Sequence, residues 1–365
     1  MTSTTANNSS QTNWPQIYSL MALNAAIVIS WIAYHNYQPK VLEIFHFQEL
    51  SLFLVVAQAL ILVFIPPLAG IIADRVLNAG GNRFVVFTVG ISVTAMVFMC
   101  VAFTVGTANT IDLTSALPFM IVVWLISMNI FHSPANSMLE LFAPAKSLPS
   151  AMAMMVLTTE LLYAVEPVIV EFVDFLGPVK TFALGGVLLI ITGYFFRKTT
   201  RDLSFVRSND ESKAAESSFA VVLIAGLILG VATTLLKNYL PQRITDLSGA
   251  DNSISGSVVV SIALAISAVT AWPLSKVVDK VGTQKSLTYG LLGSFLFLLP
   301  TIFISNPYVV IACALLSAPF FSYASVAAFP FALSKLSVKD VTLGAGIFFG
   351  SAEVADGVLN YIQQM

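Results

Sequence analysis

The sequence predicts an all-α membrane protein, a bundle of two pseudo-symmetric six-helix halves in which eleven spans are present and a twelfth is missing. Three observations predict it: the composition, the length of the apolar runs and an internal repeat. Of the 365 residues, 57% are hydrophobic and 10% are charged, whereas roughly 25% of the residues of a soluble domain are charged. Apolar runs of about 20 residues, the length that crosses a hydrocarbon layer, follow one another along the chain. Strands are not expected, because barrel strands give short alternating segments of about ten residues.

The internal repeat consists of three pairs of similar segments that occur in one order. The pairs are Asn36-Tyr37-x-Pro39 and Asn238-Tyr239-x-Pro241 at an offset of 202, Asp74-Arg75 and Asp279-Lys280 at 205, and Glu160 and Glu353 at 193. Nearly constant offsets predict duplicated halves of the same orientation. Two such halves in a membrane chain usually enclose a binding site near the middle of the bilayer.

Eleven spanning helices are predicted in order, each over one apolar run. Their residues are 16–37, 50–73, 84–106, 114–141, 150–175, 179–196, 218–240, 253–275, 285–304, 307–334 and 341–362. The breaks between them are rich in Gly, Asn and Pro, as at 78–82, 177–178, 249–252 and 306–307. These residues favour turns, so each helix is expected to end there.

Four regions follow from this pattern. Residues 1–15 are mostly Ser, Thr, Asn and Gln without positive charge, so they are expected to form a disordered tail and not a secretory signal. The first half covers 16–196 with six spans, a cytoplasmic linker of mixed charge covers 197–217, and the second half covers 218–365 with five spans. The offset of 193 carries the start of the sixth span to about position 372, beyond the last residue. A truncated twelve-helix protein is therefore expected, with a true eleven-helix protein as the alternative.

The loop cations predict the orientation. Thirteen of the seventeen Lys and Arg fall in loops on the side of the N-terminus, and the four others are Lys40, Lys180, Lys237 and Arg243. Short cytoplasmic loops carry an excess of Lys and Arg. The sequence therefore predicts a multi-pass protein of the cell (inner) membrane with a cytoplasmic N-terminus.

Several functional classes are disfavoured. Cys100 and Cys313 both fall within predicted spans, which suggests neither a disulfide nor a metal site. A net charge of −2 gives no reason to expect a nucleic-acid partner. The three His residues show no His-x-x-x-His spacing, and no nucleophile with a base is evident, so an enzyme is not expected. No cofactor is expected, and the expected partners are the lipid bilayer and a small solute, with the chain as a monomer.

The loop after the second span carries a family resemblance. Residues 70–75, Gly-Ile-Ile-Ala-Asp-Arg, close with Arg83 and resemble the Gly-x-x-x-Asp-Arg-x-Gly-Arg-Arg signature of the major facilitator superfamily. Residues 279–285, Asp-Lys-x-Gly-x-x-Lys, resemble its second copy, with Ser275 in place of its glycine. The resemblance implies a major-facilitator-type bundle and a secondary active transporter.

Residue types explain why such a loop can act as a latch. An aspartate at the end of a helix can accept hydrogen bonds from the N-terminus of a neighbouring helix and from Arg. The resemblance implies that the first copy holds one conformational state and the second copy is its counterpart; these gating residues are Asp74, Arg75, Arg83, Asp279, Lys280 and Lys285. Glu140 is expected to pair with a loop cation such as Arg83. The alternative for both loops is a solvated basic turn.

Carboxylates within the spans are candidates for cation coupling. An ionisable group in hydrocarbon costs several kcal/mol, so it usually faces a cavity or a partner. Glu160 and Glu353 are related by the repeat, and Asp356 lies three residues after Glu353 on one helix face. A carboxyl group in a dry cavity can take up a proton or sodium ion from one side and release it to the other. The alternative is that these groups are structural hydrogen-bond acceptors.

Neutral polar residues suggest the substrate class. No Lys or Arg is predicted in the central part of a span, although anion transporters usually need one. The fourth span concentrates Asn129, His132 and Asn136, and amide and imidazole groups suit a neutral, sugar-like solute. His132 is also a candidate proton carrier, or a polar group beside the kink at Pro134.

A second, fainter resemblance supports symport. Residues 133–144 are faintly similar to the fourth span of sucrose and glycoside–cation symporters of the superfamily. Glu166-Pro167 stands where drug–proton antiporters carry a Gly-rich motif. The resemblance implies cation-coupled transport, by proton or sodium, of a sugar-like solute. The alternatives are an exporter of an amphipathic compound and a non-transporting solute sensor with the same fold.

Overall fold

The computed structural model describes residues 12–79, 84–108, 113–201, 216–248 and 255–364. Within these ranges the chain forms fifteen α-helices and no strand. The helices are α1 (Trp14–Ile44), α2 (Ser51–Asn78), α3 (Phe84–Gly106), α4 (Leu117–Ser137), α5 (Leu139–Phe142), α6 (Leu148–Ala164), α7 (Glu166–Leu176), α8 (Pro178–Thr200), α9 (Phe219–Thr234), α10 (Leu240–Ser248), α11 (Gly256–Val281), α12 (Thr283–Leu298), α13 (Pro307–Ser334), α14 (Val341–Ala352) and α15 (Val354–Gln364).

The number of spans agrees with the prediction. Among the described residues, ten helical segments are long and apolar enough to cross a membrane, and the bent pair α6–α7 makes an eleventh span. Many large apolar side chains of these helices are exposed, for example Phe119 at 70% and Phe175 at 85%. Apolar side chains on the outer surface are typical of a bundle that lies in lipid. The all-α membrane fold is confirmed.

The first span is longer than predicted at both ends. α1 begins at Trp14, inside the predicted tail, where the N–H of Asn13 donates to Phe142 O at 2.7 Å. The helix also continues past Pro39 to Ile44. An interior proline removes one backbone hydrogen bond, but Val41 beyond it is 5% exposed, and its burial offsets that loss.

Two other boundaries differ from the prediction. α8 runs to Thr200, so the predicted linker begins within a helix. The seventh span does not end near residue 240, because α9 passes through a π-helical turn, Leu235–Tyr239, directly into α10. The predicted halves and their pseudo-symmetry stay predictions.

The fifth span is broken at Val165. α6 and α7 meet there at an angle of 61°. Pro167 follows at the first turn of α7, where its missing N–H breaks no helical hydrogen bond. The bend directs α7 away from the line of α6.

The helix ends define two faces of the bundle. We call the face at which α1 begins and α2 ends the latch face, and the opposite one, at which α1 ends and α11 begins, the open face. α2 packs along α14 and α15, and α6 packs along α11 and α13. α7, beyond the bend, packs mainly against α1 and α8. The two predicted halves are thus in close contact at the latch face and, through α2 and α15, beyond the middle of the bundle.

Candidate functional site

A central cavity of about 760 Å³ lies between the two predicted halves. It is lined from one side by α1, α2, α4, α6 and α7, and from the other by α9, α11, α13, α14 and α15. It extends from Met152, near the latch face, to Ser255 and Ser257, where α11 starts at the open face. A cavity of this size can hold a small organic solute.

All six residues predicted for substrate or cation binding line this cavity. They are Glu160, Glu353, Asp356, His132, Asn129 and Asn136. The helices bring them together from residues more than 200 positions apart in sequence. Their roles stay predictions, but their common location is a property of the fold.

Glu160 forms an ion pair with Lys237. Lys237 Nζ donates to Glu160 Oε1 at 3.0 Å, and the two side chains are 14% and 6% exposed. The same ammonium lies 4.3 Å from the centre of the Tyr163 ring. Glu160 Oε2 is buried and accepts no hydrogen bond from the described residues. One oxygen of this carboxylate is therefore compensated and the other is not.

The position of Lys237 corrects two sequence expectations. It was counted among the cations on the outer side, at the end of the span predicted over 218–240, and the spans were expected to contain no central Lys or Arg. The error arose because the seventh span was predicted to end near residue 240, whereas the helix continues through the π-helical turn that carries Lys237. π-helical turns occur frequently at functional sites. Lys237 lines the cavity. The expected lack of Lys and Arg in the spans is therefore no longer an argument against anionic substrates.

The other carboxylates of the cavity differ in their partners. Asp356 accepts hydrogen bonds from Asn238 and, at 3.0 Å, from Asn360 Nδ2. Glu166 lies in the first turn of α7, whose free N–H groups stabilise a negative charge. Glu353 is half-buried, and its carboxylate accepts no hydrogen bond and forms no ion pair within the described ranges. Glu353, which directly precedes α15, and Glu166 are thus the cavity carboxylates without a hydrogen-bond or ion-pair partner among the described residues.

The neutral polar groups of α4 point into the same space. Asn129 Nδ2 donates to Leu125 O at 2.8 Å, and Asn136 Nδ2 donates to His132 O at 3.0 Å. These bonds fix both amides and leave their carbonyl oxygens as acceptors. The His132 ring lies 5.0 Å from the ring of Phe349, so it touches the opposite side of the cavity.

Hydrogen bonds between the predicted halves close the latch face. Asp74, which is 6% exposed, accepts the N–H of Leu343 at 2.8 Å, at the N-terminus of α14. Ser150 Oγ at the start of α6 donates to Asp279 Oδ2 at 3.5 Å and lies 3.4 Å from Ser275 Oγ. Asp74 and Asp279 differ by 205 positions, and Ser150 and Leu343 by 193, which are the offsets of the internal repeat.

A close backbone contact accompanies the first latch contact. A Cβ on Gly70, one turn before Asp74, would lie 2.5 Å from Thr342 O. Any larger residue would therefore hold α2 away from the N-terminus of α14. This is a physical reason for glycine in the Gly-x-x-x-Asp pattern.

The fold and the motif together identify the family. The sequence model of the Major Facilitator Superfamily matches residues 16–355. The chain belongs to the Major Facilitator Superfamily. It is therefore a multi-pass integral membrane protein and a transporter, not an enzyme. The resemblance seen in the loop after the second span is confirmed. No curated protein matches the sequence.

Solved structures of superfamily transporters share this fold. The fucose:proton symporter FucP of E. coli, solved as a single-residue variant, is similar with a TM-score of 0.69 and 12% identity over 97% of this chain and 93% of that one. A bacterial homologue of the iron transporter ferroportin, in an outward-facing state, is similar with a TM-score of 0.69 and 12% identity over 95% and 91%. At this identity the likeness shows the fold and not the substrate.

The structure does not show ionic partners for the cations of the superfamily motif among the described residues. Arg75, Lys280 and Lys285 are exposed at the latch face, and no described residue forms an ion pair with them. Arg83 lies outside the described residues, and so does its expected pairing with Glu140, a half-buried residue of α5. Their roles in the latch stay predictions.

Two residues of this cavity, Lys237 and His35, were not predicted from the sequence as part of the site. Lys237 was counted only as a cation on the outer side, and His35 was not among the candidate site residues. Both line the cavity, and His35 is exposed there beside the rings of Trp31 and Tyr34, at 5.5 and 5.4 Å between ring centres. The repeat contained a signal for them, because the offset of 202 maps His35 onto Lys237.

Proposed function

We propose that this superfamily transporter moves a small, neutral polar solute by alternating access, and that the movement is coupled to a cation bound at Glu353. The observation that carries the proposal is the contrast between the two repeat-related carboxylates. Glu160 is neutralised by Lys237 at 3.0 Å, whereas Glu353 in the same cavity has no ionic partner among the described residues. A carboxylate without an ionic partner inside a membrane bundle favours a proton or a cation.

The two faces of the bundle support alternating access. The latch contacts close one face, while the cavity extends to the opposite one. With a cytoplasmic N-terminus, as the loop cations predict, this conformation is open to the outside. Transport then requires the latch contacts to break while the open face closes. Asp74 and Asp279 are proposed to control that exchange.

A neutral solute is supported by the charges in the cavity. The ammonium of Lys237 is held by Glu160, so it is not an unpaired cation for an anionic substrate. Amide groups of Asn129 and Asn136 provide acceptors from one helix. Hydroxyl groups of a sugar-like solute can donate to such acceptors.

The decisive experiment is Glu353→Gln in proteoliposomes, with Glu171→Gln as the matched control on an exposed position of α7 outside the cavity. Radiolabelled fucose and a panel of other neutral sugars are offered with and without imposed pH and sodium gradients. We expect Glu353→Gln to lose accumulation against a gradient and to keep exchange between equal concentrations. The control is expected to accumulate normally. Concentrative uptake by Glu353→Gln at the level of the unchanged protein would reject Glu353 as the coupling site, and binding without any uptake by the unchanged protein would indicate a sensor.

A second candidate function is export of an amphipathic compound. Aromatic rings occupy one side of the cavity: those of Phe329, Phe348 and Phe349 lie 5.0 to 5.5 Å apart, and Phe321 lines the same side. Apolar rings favour a solute with an apolar part. Gradient-driven extrusion of a fluorescent lipophilic dye from the same vesicles, without sugar uptake, would favour this candidate.

A further inference from the structure

An ion pair joins the two predicted halves across the cavity. Lys237 belongs to the π-helical turn of the second half, and Glu160 belongs to α6 of the first. We propose that Lys237 is a resident cation: its ammonium occupies, at Glu160, the position that the transported cation takes at Glu353. The inference rests on the proposed function, because it uses Glu353 as the coupling carboxylate.

The internal repeat relates the two places residue by residue. The offset of 202 maps His35 onto Lys237, and the offset of 193 maps Glu160 onto Glu353 and Tyr163 onto Asp356. Lys237 contacts Glu160 and Tyr163, so the related arrangement is His35 with Glu353 and Asp356. All six side chains line the one cavity.

The two repeat-related places differ in that the carboxylate of the first is paired with a cationic side chain. The first holds one carboxylate and the ammonium of Lys237 at 3.0 Å, so its charges cancel. In the second, Glu353 and Asp356 line the cavity, and His35, the repeat counterpart of Lys237, forms an ion pair with neither of them within the described ranges. The second place therefore lacks the cation that the first already contains.

The burial of Glu160 indicates what happens without the lysine. Its Oε2 already accepts no hydrogen bond from the described residues, so among them Lys237 alone donates to this carboxylate. Removal of one partner leaves a buried charge without compensation, which is strongly unfavourable. The carboxylate of Glu160 must then take up a proton or a metal cation. A transporter without the lysine would bind one cation more than the unchanged protein.

The test counts cations bound by the purified full-length chain in detergent. Protons taken up as the pH falls from about 9 to about 5, a range in which lysine ordinarily stays charged and its own proton is not counted, are measured by potentiometric titration, and bound sodium by equilibrium dialysis with radioactive sodium. We expect Lys237→Gln to bind one additional cation per chain. Lys237→Arg, which keeps the charge, and the double variant Lys237→Gln with Glu160→Gln, which removes both charges, are expected to match the unchanged protein.

The comparison isolates the pair from the other ionisable groups of the cavity. Glu166, Asp356, His35 and His132 also line it, and they are the same in every variant. A folded Lys237→Gln chain that binds no additional cation would overturn the proposal. An additional cation that persists in the double variant would overturn it as well, because its site would then not be Glu160.

A second measurement covers the case in which Lys237→Gln does not fold. Glu160→Gln leaves the ammonium of Lys237 unpaired in the cavity that also contains Glu353. We expect the affinity of Glu353 for sodium or a proton to fall about tenfold or more, since a like charge nearby opposes binding. Unchanged affinity would overturn the resident-cation proposal. A protein in which Glu353→Gln leaves coupling intact refutes the proposed function instead, so the two failures are distinguishable.

Discussion

Replacement of Asp74 by Ala should unlock the latch face. Asp74 Oδ2 accepts the N–H of Leu343 at 2.8 Å, is 6% exposed, and faces the N-terminus of α14. A hydrogen bond to a charged group contributes about 1.5–3 kcal/mol, and a negative charge at a helix N-terminus adds about 0.3–1 kcal/mol. Loss of about 2–3 kcal/mol shifts the equilibrium between the two conformations by about 30- to 150-fold towards an open latch face.

Pulsed electron paramagnetic resonance measures this shift directly. Spin labels replace Lys198 and Lys276, exposed residues on the two predicted halves near the latch face, after Cys100 and Cys313 are changed to Ser. We expect one short distance in the parent protein. The Asp74→Ala variant should show a second, longer distance as a major population.

The control for this experiment is Asp174→Ala. Asp174 lies near the open face, and its partners Lys40 and Asn36 belong to the same predicted half, so its loss should not change the distance distribution. A single short distance in Asp74→Ala, identical to that of the parent, would refute the reasoning. The Asp74 contact would then be a consequence of the closed latch face and not one of its causes.

Three further changes test the packing. Gly346→Ala puts a Cβ 2.3 Å from Pro66 O, so α2 and α14 must move apart. We expect this to destabilise the packing of the two helices by about 1–3 kcal/mol, measured as a longer distance between the same spin labels. Asn306→Ala removes the side chain that accepts the N–H of Tyr308 at 3.0 Å and caps α13. This change should lower the free energy of unfolding by about 1 kcal/mol, measured as a lower Tm in detergent. Phe131→Ala empties a fully buried position, and the Tm should report a loss of about 3–5 kcal/mol.

Matched controls accompany these changes. Gly106→Ala meets Val179 at an ordinary contact of 3.5 Å and should leave the spin-label distance unchanged. Asn306→Ser keeps a capping oxygen and should keep the Tm. Phe175→Ala removes a ring that is 85% exposed and should have a much smaller effect than Phe131→Ala. Equal effects of a change and its control would contradict the packing argument for that position.

The sequence predicted the features that depend on short stretches of chain. Whether a segment spans the bilayer depends on the hydrophobicity of about 20 neighbouring residues, so all eleven spans were found. The bend at Val165 lies two residues before Pro167, and proline disfavours continuation of the helix that precedes it, which is a local property. A carboxylate within a span has few alternatives to a cavity or a partner, and Glu160 and Glu353 both line the cavity.

The tertiary structure decided which groups meet. Lys237 and Glu160 are 77 positions apart, and Leu343 and Asp74 are 269 apart. The first contact depends on a π-helical turn that continues a span past its apolar run, and the second on the packing of α2 against α14. The composition of a single segment determines that it enters the membrane. The partner of a polar group depends on how all the helices pack, because the groups that compensate a buried charge come from distant parts of the chain.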